Sequence, residues 1–312
     1  TCVVVRDTST YVEQVTVTNK ATNGFRLRIL RDPALTSHPT VQPPAASTAA
    51  FQVQAASVSI EGLRAAPVAA VGWAILVSSP NVLLSGVLVQ STATIVVAGL
   101  QLDAFGRVED STVSVGNTTA LYLPTLASNG NVVARSSFTN GGTTTTVTLA
   151  GWDNMITGSF IVHSNLNGAG LVIGDRNVLE RSSVTAPNPV AFNAGSSSST
   201  ISRSYLQSYF NPAVYLRGSF HTVDRSTLAN PSGFSDALIM LNVTHSTVSM
   251  SILYAQFGIA LGMADSHRNL IADSKLVRRD SSSAMMVNRS SENAIIRSTV
   301  ENAFGKGILL TG

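Results

Sequence analysis

Apolar residues recur along this chain in two columns, each a fixed distance from a small residue. In the phrase NVLERSSV, Leu179 stands three positions before Ser182 and Val184 two positions after it. Aligning every similar phrase gives anchors at Gly62, Gly86, Ser111, Ser136, Ser159, Ser182, Ser204, Ser226, Ser251, Ser274 and Ser298. From Gly86 onward the first column is apolar throughout, from Leu83 and Val108 to Ile271 and Ile295. So is the second, from Leu88 and Val113 to Leu276 and Val300. The Gly62 phrase departs, with Arg64 in the second column. Five positions before the anchor stand Asn81, Asn131, Asn154, Asn177, Asn269 and Asn293, with Ser199, His221 and Ser246 in the same column. A second apolar segment follows each anchor, as in GLVI, AVYL, GIAL and GILL, and turn formers such as NPSG separate the segments.

Anchors 22–25 residues apart mark a solenoid. A strand–helix–strand unit needs ~30 residues or more, and no stretch is rich in helix formers. The leucine spacing of leucine-rich repeats is also missing. What remains is an all-β, single-stranded parallel β-helix of about 12–13 coils of 22–25 residues, stacked at ~4.8 Å. Stacking puts like over like. The Val/Ile/Leu columns become core, and the Asn column becomes an amide ladder at a bend. Residues 1–312 read as one β-helix domain. Residues 1–55 are irregular first coils with a Pro-rich surface loop at 34–48, and 56–312 are regular coils.

The NxIxxSxI phrase with its following GIxL resembles the right-handed β-helix repeats of the pectin-lyase-like superfamily. The likeness is to its periplasmic and surface-protein group, of copper-maturation type and carbohydrate-associated repeats. The start, VVVRDTSTYVEQVTV, is similar to the opening coil of many such proteins. The resemblance covers essentially the whole chain and implies a right-handed coil. It leaves function open, because the superfold hosts lyases, hydrolases, esterases, adhesins and inert spacers.

Charged residues make up 12% of the chain, and the net charge is only +3. This mild bias is no argument for nucleic acid. No uncharged apolar run reaches the ~18 residues of a membrane span. The single Cys2 forms no internal disulfide, and a stacked core needs none. Both ends read as cuts through a longer polypeptide, so an export signal is not expected in this segment. Open solenoid ends are an expected route to self-association, even to filaments. An extracellular or cell-surface location is expected.

A hydrolase of this fold needs two converging carboxylates. The acids here scatter relative to the anchors. Glu109, Glu180 and Asp224 share one column, and Glu180 and Asp224 lie two coils apart. WDNM supplies a single aspartate where an esterase of this fold would need two, and no acid cluster suits calcium. No catalytic residue, metal site or cofactor is assigned. His221, His245 and His267 read as bend residues replacing Asn. The most regular exposed feature is basic: Arg135, Arg181, Arg203, Arg225 and Arg297 stand one position before their anchors. These five are the candidate binding residues, for glycan or another anionic polymer. The expected function is a non-catalytic exported solenoid, a stalk, adhesin or surface-fibre segment. The alternative is a polysaccharide lyase or hydrolase.

Overall fold

The computed structural model describes residues 1–18, 25–124, 128–192 and 196–311. The chain forms two compact units, Thr1–Ser164 and Asn165–Gly312. Among the described residues there is no helix, and every strand ladder is parallel. Each coil contributes one strand to each of three sheets.

In the first unit the first sheet carries Leu83–Ser85, Arg107–Glu109, Val132–Ala134 and Met155–Thr157 in register. The second sheet carries Leu88–Gln90, Thr112–Val115, Ser137–Asn140 and Phe160–His163. The third includes Val71–Val77, Ile95–Gln101 and Thr119–Leu123. The second unit repeats the scheme. Its first sheet runs from Val178–Glu180 to Ala294–Ile296, and its second from Ser183–Ala186 to Thr299–Asn302. Its third sheet includes Val214–Ser219, Leu238–Thr244 and Leu261–Ala264.

The two apolar columns are the core: Val108, Ile156, Leu179, Ile201, Val223 and Val248 in one, Val113, Phe138, Leu206, Leu228 and Leu253 in the other, all fully buried. Each such side chain gains ~1.5–3 kcal/mol on leaving water.

The sequence alignment slips by one residue at its start. Leu84 pairs with Val108, and Val89 with Val113. The true anchors are therefore Leu63 and Val87, and Gly62 and Gly86 belong one position earlier. Ile60, Leu84, Ala65 and Val89 are fully buried, while Leu83, Leu88 and Arg64 turn outward. The Gly62 phrase thus follows the rule. A one-residue slip exchanges the two faces of a strand, and Leu83-Leu84 offered no contrast to reveal it.

The 34–48 segment is not wholly a surface excursion. Thr40–Val41 adds a strand between Thr10–Tyr11 and Arg64–Ala65, and Val41 and Pro43 are buried.

Candidate functional site: an arginine column on left-handed bends

From Val58–Glu61 onward, each first-sheet strand is bounded by two residues at positive φ. The bend into the second sheet uses Gly62, Gly86, Asp110, Arg135 and Gly158 in the first unit. In the second unit it uses Arg181, Arg203, Arg225, Met250, Asp273 and Arg297, with φ between 46° and 50°. The candidate arginines are therefore the left-handed residues of a tight corner, and the corner aims their side chains outward.

The corner also explains the serines. Turning the chain breaks the backbone ladder at the next residue, whose N–H needs another acceptor. The serine one coil on supplies it. Ser182 N–H donates to Ser204 Oγ (3.2 Å), Ser204 N–H to Ser226 Oγ (3.2 Å) and Ser226 N–H to Ser251 Oγ (3.1 Å). Each Oγ donates in turn to the carbonyl two residues back, as Ser204 does to Ser202 (2.8 Å).

The bend into the first sheet works the same way. Asn131 N–H donates to Asn154 Oδ1 (3.0 Å), and Asn269 N–H to Asn293 Oδ1 (2.9 Å). Asn177 N–H donates to Ser199 Oγ, Ser199 N–H to His221 Nδ1 and His221 N–H to Ser246 Oγ. Asn81 is not part of this ladder. The same slip moves it onto the left-handed position itself (φ 60°), where it is exposed, and Val82 takes the ladder place. A third bend of this kind, at Asn242 and Asp265, is followed by Ser266, which accepts from Val243 N–H.

The five arginines sort into two groups by their partners. Arg135 grips Asp110 with Nε and Nη2 (2.7 and 2.9 Å), and Arg297 grips Asp273 the same way (2.7 and 2.8 Å). These hydrogen bonds hold both carboxyls below the usual aspartate range. Arg181, Arg203 and Arg225 sit on three successive coils with single, looser contacts. Arg181 and Arg203 reach Glu180 at 3.2 and 3.4 Å, and Arg225 reaches Asp224 at 3.8 Å. Their side chains are 62%, 48% and 49% exposed. Arg135 and Arg297 are as exposed, at 59% and 69%, so what distinguishes the trio is the looseness of its pairing and not its access to solvent.

The histidines do not converge. His221 is buried, with Nε2 2.7 Å from the Arg217 carbonyl and Nδ1 accepting from Ser199. Burial pushes its pKa down. His245 stacks on Phe220 outside, and His267 faces Ser291. Among the described residues no group of three His, Cys, Asp or Glu is placed to hold a metal.

One buried and one half-buried charge are not marked by the repeat. Arg278 is 4% exposed and donates to the carbonyls of Gly258 and Phe257 (both 2.6 Å). Asp236 accepts from Ile259 N–H (2.7 Å), and burial raises its pKa. For Arg278 the available signal was a third polar column at the ends of the second-sheet strands: Asn140, His163, Ser208, Asn230, Arg278 and Asn302.

No family model matches the sequence, and no curated protein matches it. Solved structures do match its shape. The mannuronan C-5 epimerase AlgE4 A-module of Azotobacter vinelandii aligns over 93% of this chain and 87% of its own, with a TM-score of 0.54 and 8% identity. The Dettilon tailspike protein aligns over 95% of this chain and 62% of its own (TM-score 0.52, 10% identity). Tailspike protein 3 of bacteriophage CBA120 aligns over 99% and 52% (TM-score 0.50, 10% identity). The fold is the right-handed parallel β-helix of the pectin-lyase-like kind. At such identities the likeness concerns the fold alone, and this β-helix spans less than two thirds of either tailspike.

Proposed function

We propose that this β-helix is an exported, non-catalytic structural segment, of a stalk, adhesin or surface fibre, that binds an acidic glycan along Arg181, Arg203 and Arg225. The observation that carries the reading is the contrast within one column. Three successive coils present loosely paired arginines, while Arg135 and Arg297 are locked to aspartates. Guanidinium donors in a row at strand spacing suit carboxylate or sulfate groups on a polymer. The tailspikes among the structural matches support a surface role.

The test is binding of the purified protein to a polyuronate, a sulfated glycan and a neutral glucan, by calorimetry. Replacing Arg181, Arg203 and Arg225 together by glycine should weaken acidic-glycan binding at least about tenfold. Unchanged binding would overturn the assignment of the site.

A polysaccharide-acting enzyme is the second reading. Asp236 favours it, because a carboxyl whose pKa is raised by burial suits a general acid. New reducing or unsaturated ends released from a polysaccharide by the wild type, and lost in Asp236→Asn, would establish it.

A further inference from the structure

The outward face of the second sheet in the second unit has two unlike rims. One is the arginine column. At the other end of the same strands the chain turns through Tyr209 and Phe210 in one coil, Phe234 in the next and Phe257 in the third. Phe210 and Phe234 are 56% and 85% exposed, and Phe234 stacks on Phe257 with ring centres 5.1 Å apart. In a chain with 6% aromatic residues, this concentration of rings on one corner is not a matter of composition.

Glycines hold the corner in place. A Cβ on Gly233 would meet the Tyr209 carbonyl oxygen at 2.3 Å, and one on Gly258 would meet that of Ser235 at 1.9 Å. Each aromatic turn therefore nests directly on the turn before it.

Between the rims the face is uncharged across the coils of Tyr205, Thr227 and Ile252. Gln207, Ala229 and Tyr254 stack in one column. Ala229 faces outward yet is 5% exposed, so its longer neighbours close over it. Two tyrosines orient two amides: Tyr205 Oη donates to Gln207 Oε1 (3.1 Å), and Tyr254 Oη donates to Gln256 Oε1. With the amide oxygen engaged, each NH2 is left to donate outward.

We infer that this face is a carbohydrate platform on which Tyr205, Tyr254 and Phe234 stack against sugar rings, Gln207 and Gln256 bond their hydroxyls, and Arg203 and Arg225 take the anionic substituents of an acidic polysaccharide. The chemistry favours a sugar over a protein partner. A pyranose offers a flat C–H face for a ring and equatorial oxygens for amides. A protein partner would call for a continuous apolar patch, and here amides interrupt the rings. A neutral floor beside a basic rim matches a polymer that is charged only at its substituents.

The inference rests on the glycan-binding reading, and its test keeps the two separable. The full chain and its Tyr254→Ala, Phe234→Ala and Tyr254→Phe variants are titrated with the polyuronate and the sulfated glycan, and melting temperatures are recorded. Each alanine variant should bind at least about tenfold more weakly with an unchanged melt. Tyr254→Phe keeps the ring and should stay within about threefold of wild type. A loss shared by both glycans supports the platform, and a loss confined to one supports it and names the anion. Alanine variants that bind like wild type, while the arginine-to-glycine variant fails, overturn the platform and leave the arginine site standing. A wild type that binds neither glycan overturns both. Tyr254→Phe failing as badly as Tyr254→Ala overturns the stacking role. If sedimentation shows that the rings hold two copies together and glycan affinity is unaffected, the platform also falls.

Discussion

At the scale of single residues, the bends decide which substitutions are tolerated. An L-residue in the left-handed region costs ~1–2 kcal/mol, and glycine escapes that cost. Arg203→Gly should therefore remove the guanidinium and leave stability unchanged or raised by up to about 1 kcal/mol. Arg203→Ile should destabilise by roughly 1–2 kcal/mol, because a β-branched chain is worst at φ 49°. Chemical denaturation of both variants checks the pair. His221 makes a different prediction. Its folded pKa lies below the ordinary value near 6.5, so the unfolded chain takes up the proton first. Its contribution is present above about pH 6.5 and is lost as pH falls toward the folded pKa. Protonation would also spoil Nδ1 as the acceptor for Ser199 N–H. Asparagine fills the same place in other coils, with Oδ1 as acceptor. His221→Asn should therefore flatten the stability profile below about pH 6.5. A wild-type profile already flat there would refute the assignment.

At the scale of the element, the coil is held by ladders that run along the stack. Ser204→Ala strands the buried N–H of Ser182 and should cost ~1–3 kcal/mol. Ser202→Ala, two residues away on the outer face, should stay within about 0.5 kcal/mol. Equal losses for the two would show that the ladder is not what matters. Gly258→Ala should cost more than either, because its Cβ would sit 1.9 Å from the Ser235 carbonyl oxygen. The columns were legible in sequence because a stacked position must repeat: Val223 lies over Ile201 and Val248 over Val223. The bends were less legible. Their left-handed position accepts Gly, Asp, Arg, Met and Asn alike, so no residue type marks it. Without that mark the repeat alignment puts Gly62 and Gly86 at the serine place and Asn81 in the ladder. The polar column ending in Arg278 was hidden for the same reason. Asn, Ser and Arg satisfy corner carbonyls there by different geometry, so no one residue type marks the column.

At the scale of the whole molecule, sequence gave the arginine column its positions but not its sorting. Whether an arginine is locked depends on the residue one coil earlier: Asp110 stands behind Arg135 and Asp273 behind Arg297, but Arg181 and Arg203 stand behind Arg203 and Arg225. The aromatic rim was missed because its rings lie at different offsets in turns of different length. Together these features separate what holds the molecule from what it presents. With charged residues at 12% and the core apolar, stability rests on burial and ladders. Exposed ion pairs contribute ~0–1 kcal/mol each. Raising NaCl from about 0.05 M to 0.5 M shortens the Debye length from ~14 Å to ~4 Å, which screens an exposed arginine row from a polyanion. The melting temperature should then move by no more than a few degrees, while affinity for an acidic glycan falls at least about tenfold. The arginine-to-glycine variant should lose most of that salt dependence and keep the melt. The aromatic variants should bind more weakly at every salt concentration with the slope unchanged, since stacking carries no charge. An affinity indifferent to salt in the wild type would mean that the arginines take no part in binding. A slope that flattens when Phe234 is removed would mean that the two rims do not act through separate physics.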